Sequence, residues 1–262
     1  MHALILNSGM GRRMGVLTSE HPKCMTDISD KQTILSRQLE LLVDAGITEV
    51  VMTTGCFDEV LVEYCDSLKL PLNYTFVKNP IYDVTNYIYS IYCARDILRD
   101  KDILMMHGDL VFTAEILDRV IKSEKSCMTV SSTLELPEKD FKAIIENGKI
   151  TKVGIEFFDS AMAAQPLYKL NREDWNAWLD EICAFCESDN RKCYAENAFN
   201  LARNFGNYVA VFLFEFMMQS TIFNNLFAFN ANLRRILFFQ NCIKIFTLSK
   251  WKNTEIRIFT KI

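Results

Sequence analysis

The stretch ALILNSGMGRRMG, residues 3–15, decides how this 262-residue chain is read. Ala3, Leu4, Ile5 and Leu6 form a short apolar run that predicts a buried strand, and residues 7–15 read as a glycine-rich loop at its carboxyl end. Two glycine loops are excluded. A G-x-G-x-x-G dinucleotide fingerprint needs glycine at 14, where the chain has Met14, and no G-K-[ST] follows for a P-loop. What remains is a small-residue loop followed by Arg12 and Arg13, with Pro22 and Lys23 shortly after. Glycines let backbone N–H groups approach phosphate oxygens, arginine offers forked donors, and lysine supplies a compact positive charge. The plainer alternative for the same residues is a tight strand-to-helix turn with solvated arginines.

Outward from this loop, apolar spacing predicts a helix over 34–45, with Leu35, Leu39 and Leu42 on one face and Gly46 as its stop. Strands are predicted at 49–54, 72–77 and 103–106, and helices at 58–67 and 90–98. This alternation predicts an α/β fold with a mainly parallel or mixed sheet sandwiched by helices. Ligands in such sheets bind beyond the carboxyl ends of the strands. Both the glycine loop and His107-Gly108-Asp109 fall at such ends. Asp109 there suits a Mg²⁺ ion on phosphate oxygens, or it simply begins the turn before a helix at 113–122. Further on, strands are predicted at 128–134, 141–146 and 150–157, with a hairpin turn at Asn147-Gly148. A helix is predicted over 174–186, with Trp175, Trp178, Leu179 and Ile182 on one side.

Composition excludes several classes. The chain is 24% charged and 50% hydrophobic with a net charge of −4, which argues against a nucleic-acid binder. Nine scattered cysteines suit a reducing cytoplasm. Cys183 and Cys186 are spaced as one buried helix face, so structural zinc with Cys193 is not expected. The N-terminus lacks the basic and long apolar regions of a signal peptide. The apolar run 208–218 has eleven residues and includes Glu215, short of the ~20 needed to span a membrane, so membrane association is not expected. The sequence carries no signal for oligomeric state.

The assembled pattern resembles the nucleotidyltransferase superfamily of the sugar-phosphate type. The matching segments are ALILNSGMGRRMGVLTSEHPKCM (3–25), ILSRQLELLVDAGITEVVMTTG (34–55) and HGDLVF (107–112). Within it, NPIYDVTNYIYSIYCARDIL (79–98) is similar to the phosphocholine and phosphonate cytidylyltransferase branch. The resemblance covers residues 1 to about 200. It implies a Rossmann-like nucleotidyltransferase fold, that of the nucleotide-diphospho-sugar transferases. It also implies Mg²⁺-dependent transfer of CMP from CTP to a small phosphorylated alcohol or phosphonate, with release of pyrophosphate. Two alternatives stay open: a sugar-1-phosphate nucleotidyltransferase using another NTP, and a nucleotide-binding domain without turnover.

The resemblance also implies roles for individual residues. Asn7, Ser8, Gly9, Met10, Gly11 and Arg12 would cradle the nucleotide, with Gly55 in the base pocket and Thr85 and Asn86 near base and ribose. Arg13, Lys23 and Asp109 would be catalytic, with Lys23 near the α-phosphate and Asp109 as the Mg²⁺ ligand. Tyr89, Ser90 and Glu196 would lie near the acceptor. Tyr87 departs from the asparagine of the family pattern, and Lys142 matches a feature of close relatives.

The last part of the chain departs from this pattern. Residues 1–204 carry 31 acidic and 22 basic residues, whereas residues 205–262 carry 2 and 7, and 11 of the 19 phenylalanines lie after 204. Relatives close the domain with an acidic E-x-D element that supplies a second metal ligand. Here Tyr194-Ala195-Glu196-Asn197 is present and no E-x-D follows. The expected organisation is a nucleotidyltransferase domain over 1–204 and a divergent apolar basic tail over 205–262. That tail reads as an out-of-frame or replaced closing element, or more plainly as a helix or strand pair that packs its phenylalanines onto the domain.

Overall fold

The structure is a computed structural model that describes residues 1–11 and 18–202, and the backbone of two strands at 209–213 and 218–219. The first elements are β1 (His2–Leu6), β2 (Asp27–Ser29), β3 (Gln32–Thr33), α1 (Ile34–Asp44), β4 (Glu49–Thr54), α2 (Asp58–Ser67) and β5 (Asn73–Lys78). Next come α3 (Tyr87–Cys93), α4 (Arg95–Leu98), β6 (Ile103–His107), β7 (Leu110–Val111), α5 (Ala114–Ile121) and β8 (Cys127–Ser131). The rest are β9 (Lys142–Glu146), β10 (Lys149–Gly154), β11 (Ala161–Leu170), α6 (Arg172–Glu187), α7 (Ala195–Phe199), β12 (Val209–Leu213) and β13 (Met218–Gln219).

Among the described residues the main sheet has the order β5-β4-β1-β6-β11-β8-β12-β10-β9. Its first four strands are parallel, as the alternation of strands and helices predicts. Side-chain alternation in β1 splits the core. Ala3 and Ile5 pack with Leu35, Leu39 and Leu42 of α1 and with Ile116 and Leu117 of α5. Leu4 and Leu6 share the opposite cluster with Ile88 and Ile91 of α3 and with Trp175 and Trp178 of α6. The fold is the mixed α/β sandwich expected. No helix among the described residues is long and apolar enough to cross a membrane.

Local chemistry sets the element ends. Thr33 and Ser36 cap α1 reciprocally, each side chain accepting the other's backbone N–H at 3.0 Å. The helix stops where Gly46 takes φ +72° and the N–H groups of Gly46 and Ile47 turn back to Val43 and Leu42, 2.9 Å each. The single helix expected over 90–98 is instead α3 and α4. Asn86 accepts the Tyr87 N–H at 2.8 Å and starts α3 earlier, and the chain breaks at Ala94. β8 ends at Ser131, three residues short of expectation, because Ser131 Oγ accepts the N–H groups of Thr133 and Leu134 and turns the chain.

The sequence did not place β11 and β12 of the main sheet, nor the short β2, β3, β7 and β13. β11 lies between β6 and β8, antiparallel to both, although it contains Gln165, Pro166 and Lys169. Its pairing with β8 shifts register between Gln165 and Tyr168, so Pro166 sits at the irregularity where a missing N–H is tolerated. β12 pairs parallel with β8 and touches β10 through Val209 opposite Lys149. The sheet therefore continues past residue 204, and the first compact unit spans Met1–Thr221. The remainder of the expected tail lies outside the described residues.

The register levels three strand ends. Leu6 stands opposite Thr53 of β4 and His107 of β6. The next residues of the three strands consequently crowd together. A Cβ on Gly55 would lie 2.5 Å from the Ser8 carbonyl oxygen, and one on Gly108 would lie 1.6 Å from Asn7 Oδ1. Gly55→Ala is expected to destabilise by about 1–3 kcal/mol, since backbone must move. Gly9→Ala, with nothing within 4 Å of its Cβ, is the control and leaves the melting temperature nearly unchanged. Equal melting shifts for the two variants would contradict this packing. Trp178 is fully buried and donates from Nε1 to Ala195 O at 2.9 Å, with Phe199 edge-on at 5.0 Å. Trp178→Ala is expected to cost about 3–5 kcal/mol in urea unfolding, and a loss under about 1 kcal/mol would show that α6 is not part of the core.

Candidate active site

A cleft of about 410 Å³ opens at the carboxyl ends of β1 and β6, within the usual range for small-molecule sites. Its floor begins with the loop after β1. Asn7 N–H donates to Thr53 at both O (3.1 Å) and Oγ1 (3.2 Å), which fixes the loop to the end of β4. Ser8 is buried, and its Oγ shares a 2.6 Å hydrogen bond with Ser90 Oγ of α3. Gly11 takes φ +63°, a left-handed conformation that suits glycine, and Thr18 Oγ1 donates to its carbonyl at 3.0 Å.

Asn79, at the end of β5, ties the second wall together. Its Nδ2 donates to Ser90 Oγ and Thr85 Oγ1, each at 3.0 Å, while its Oδ1 accepts the Ile81 N–H at 3.0 Å. Thr85 Oγ1 donates onward to Ile81 O at 2.7 Å. Ser8, Ser90, Asn79 and Thr85 thus form one bonded set that holds the glycine loop against residues 79–90.

The charged part of the cleft is compact. Lys23, in a short 3-10 turn, places Nζ 3.3 Å from Asp109 Oδ2, and both side chains are 18% exposed. Next to them, His107 stacks edge-on with Tyr87, ring centroids 4.9 Å apart. Burial pushes the His107 imidazole below its ordinary 6.5, with Lys23 acting in the same sense against Asp109 and Glu196. The ring is therefore neutral at pH 7. Glu196 is buried behind this wall and accepts hydrogen bonds from Tyr87 Oη and, at 2.8 Å, from Tyr168 Oη. Burial first, and the Glu196 charge second, push both phenols well above their ordinary range.

The structure gathers most of the expected residues and separates others. Asn7, Ser8, Gly9, Met10, Gly11, Lys23, Thr85, Asn86 and Asp109 line the cleft. Gly55 does not line it. It is the glycine that the Ser8 carbonyl leans on. Ser90 and Glu196 lie one layer behind, holding Ser8 and Tyr87 respectively. Tyr89 stacks on Tyr92 and lies outside the lining, with the Arg191 guanidinium carbon 5.1 Å from the Tyr89 ring centroid. Lys142 is fully buried and donates to Pro137 O at 2.5 Å. Arg12 and Arg13 lie outside the described residues.

Leu6, Asn79, Tyr82, Tyr87, His107, Lys139, Asp140, Phe141, Ile155 and Tyr194 complete the lining. Asn79 was open to the same strand-end rule that singled out Asp109, because it lies two residues past the strand predicted at 72–77. Phe141 and Ile155 come from the second half of the chain, where no local motif marks them, and Tyr194 opens the Tyr194-Ala195-Glu196-Asn197 segment without having been expected at the site. Phe141 and Ile155 reach the cleft from the ends of β9 and β10, and Tyr194 from the start of α7.

Comparison with known proteins agrees with this geometry. The family model described as the MobA-like NTP transferase domain matches residues 3–136, a span that holds the glycine loop, Lys23 and Asp109. The chain is 29% identical over 232 residues to the CTP:phosphoglutamine cytidylyltransferase of Campylobacter jejuni, covering 81% of this chain and 87% of that protein. It is 30% identical over 132 residues to the CMP-5'-(3-aminopropyl)phosphonate synthase of Streptomyces rubellomurinus, covering 50% of this chain and 21% of that protein. Among solved structures, the CTP:phosphocholine cytidylyltransferase of Streptococcus pneumoniae superposes with a TM-score of 0.67 at 16% identity, over 87% of this chain and 98% of the other, which bears on the fold alone. With a match that spans the first half of the chain and contains the glycine loop, Lys23 and Asp109, this chain belongs to the MobA-like NTP transferase domain family.

Proposed function

We propose that the protein transfers CMP from CTP to a small phosphorylated alcohol or phosphonate and releases pyrophosphate. The observation that carries this reading is the Lys23–Asp109 ion pair beside the Ser8–Gly11 loop in one cleft. Its chemistry fits a triphosphate better than a neutral ligand. The cytidylyltransferase relatives support the choice of CTP and of a small phosphate or phosphonate acceptor.

In the proposed step, an acceptor oxygen attacks the α-phosphorus of CTP in line. The bond from that phosphorus to the oxygen leading to the β-phosphate breaks, and pyrophosphate leaves with the electron pair. The acceptor oxygen is already anionic at neutral pH, so no general base is required. A neutral, buried His107 is consistent with that. The backbone of Ser8–Gly11 would hold phosphate oxygens, and Lys23 would turn from Asp109 towards the α-phosphate as negative charge builds there.

Among the described residues no group of three or more His, Cys, Asp or Glu could hold a metal ion. The cleft nonetheless fits Mg²⁺, which binds through one or two carboxylates while substrate phosphates and water supply its other ligands. Asp109 is the carboxylate we assign to it, and the ion would neutralise phosphate charge when bound. Tyr82, Tyr87, Phe141 and Tyr194 give the outer wall an aromatic face, with Lys139 and Asp140 beside it. That wall suits a short acceptor carrying a charged organic head group. A cytoplasmic location is part of this reading, supported by the eight described cysteines, all of them free.

The test is pyrophosphate release from each of four NTPs with a panel of phosphocholine, phosphorylated amino acids, aminoalkylphosphonates and sugar 1-phosphates. The expected result is release from CTP that needs both Mg²⁺ and a small non-sugar acceptor. Lys23→Ala and Asp109→Ala should each lower turnover by about 10²-fold or more. Preference for another NTP with a sugar 1-phosphate would replace this function. Nucleotide binding without turnover would reduce the protein to a binding domain.

A further inference from the structure

One polar residue lies inside the apolar stripe of α1. Gln38 stands three residues after Leu35 and four before Leu42, both of them core residues, and it is 1% exposed. A primary amide at such a position costs free energy unless its hydrogens are bonded. Gln38 uses both of them. Its Nε2 donates to His107 O at 3.0 Å and to Leu110 O at 2.7 Å. Carbonyls only accept, so the NH₂ end of the amide must face them, and Oε1 is left buried with no hydrogen-bond partner among the described residues. A methionine would pack there without that orphan, so the two donated bonds are what glutamine contributes.

The two carbonyls bracket one turn. β6 ends at His107, β7 begins at Leu110, and Gly108 and Asp109 are the turn between them. A single amide therefore ties both ends of the turn that carries Asp109. Arg37, the preceding helix residue, extends the attachment by donating from Nε to Phe112 O at 3.1 Å. The other partner of the ion pair rests on the same helix. Cys24, next to Lys23 in its short turn, is buried in one core cluster with Leu35 and Leu39, and Ile34 N–H donates to Thr26 O at 3.0 Å. α1 is thus the common support of Lys23 and Asp109, whose side chains come within 3.3 Å of each other.

We propose that Gln38 is a positioning residue for Asp109. Gln38 does not line the cleft and acts through the turn. With both ends of the turn held to α1, the Asp109 carboxylate is presented in one direction, and it keeps that direction when phosphate charge draws Lys23 away. A group that must take up a cation benefits from such a support, because its orientation does not have to be fixed at the moment of binding. The inference rests on the nucleotide reading of the cleft and on Asp109 as its carboxylate for Mg²⁺. The attachment of the turn to α1 stands without that reading.

Three variants of the full chain test it. Gln38→Met keeps the length of the side chain and removes both donors. Gln38→Asn keeps the amide on an arm one methylene shorter. Leu42→Ala weakens the packing of α1 and leaves the bonds to the turn in place. Hydrogen exchange followed by mass is expected to quicken about 10-fold or more at the amides of 108–111 in Gln38→Met, while those of 50–53 stay as in the wild type. Calorimetric titration with CTP, with and without Mg²⁺, is expected to show that the strengthening by Mg²⁺ falls about 10-fold in Gln38→Met, with metal-free CTP binding unchanged. Its kcat should fall about 10- to 100-fold with the KM of the acceptor unchanged. Gln38→Asn should lie between the two proteins, and it carries the same comparison if Gln38→Met does not fold. Unchanged exchange at 108–111 overturns the inference. So does quicker exchange with Mg²⁺-dependent binding and kcat equal to the wild type, or an equal loss of both in Leu42→Ala. A wild type that binds no CTP overturns the nucleotide reading and this inference with it. That outcome is read on the wild type alone, which separates it from a failure seen only in the variants.

Discussion

The site depends on the close approach of three backbone ends. The registers of β1, β4 and β6 place Leu6, Thr53 and His107 side by side, so that the residues after them must share one small volume. Glycine at 55 and at 108 is the condition for that sharing, since a Cβ at either position would meet Ser8 or Asn7 well inside van der Waals contact. The loop from Asn7 to Gly11 is thus set down on the sheet, and the cleft floor inherits the rigidity of the central strands.

Around that floor the polar groups fall into two kinds. One set is closed on itself. Ser8, Ser90, Asn79 and Thr85 bond to one another, and Tyr87 and Tyr168 bond to Glu196. These residues shape the walls. The other set is open to exchange. Lys23 and Asp109 compensate each other's charge in a partly exposed position, and phosphate with its counter-ion offers each an alternative partner. The transfer proposed here, with an anionic acceptor, asks for positioning and charge compensation, and this second set would provide them without a titrating base.

Much of the parallel half of the fold was legible in the sequence. The strand at 49–54 and the helix at 58–67 match their expected limits, because Val50-Val51-Met52 with Thr53 and Thr54 is rich in β-branched residues and Asp58–Ser67 carries a helical stripe. Asp109 and Asn7–Gly11 were legible as site residues because they follow buried strands in a sheet of this class. β11 was not legible, because its burial comes from both faces of the sheet and Gln165, Pro166 and Lys169 interrupt any simple period. Glu196 was foreseen as an acceptor contact, but its carboxylate is occupied by two tyrosines. That arrangement depends on Tyr168 of β11, a strand the sequence did not reveal. The aromatic wall of Phe141 and Tyr194 likewise depends on long-range pairing, which no local pattern encodes.

The most direct measurement follows the oxygen that joins acceptor to nucleotide. The protein would be incubated with CTP, Mg²⁺ and a phosphorylated acceptor carrying ¹⁸O in its phosphate, and the products read by ³¹P resonance and mass. In-line transfer at the α-phosphorus predicts a CMP-linked acceptor with ¹⁸O in the bridge between the two phosphorus atoms, together with unlabelled pyrophosphate. Label absent from the bridge, or CTP cleaved to orthophosphate with the acceptor unchanged, would contradict it.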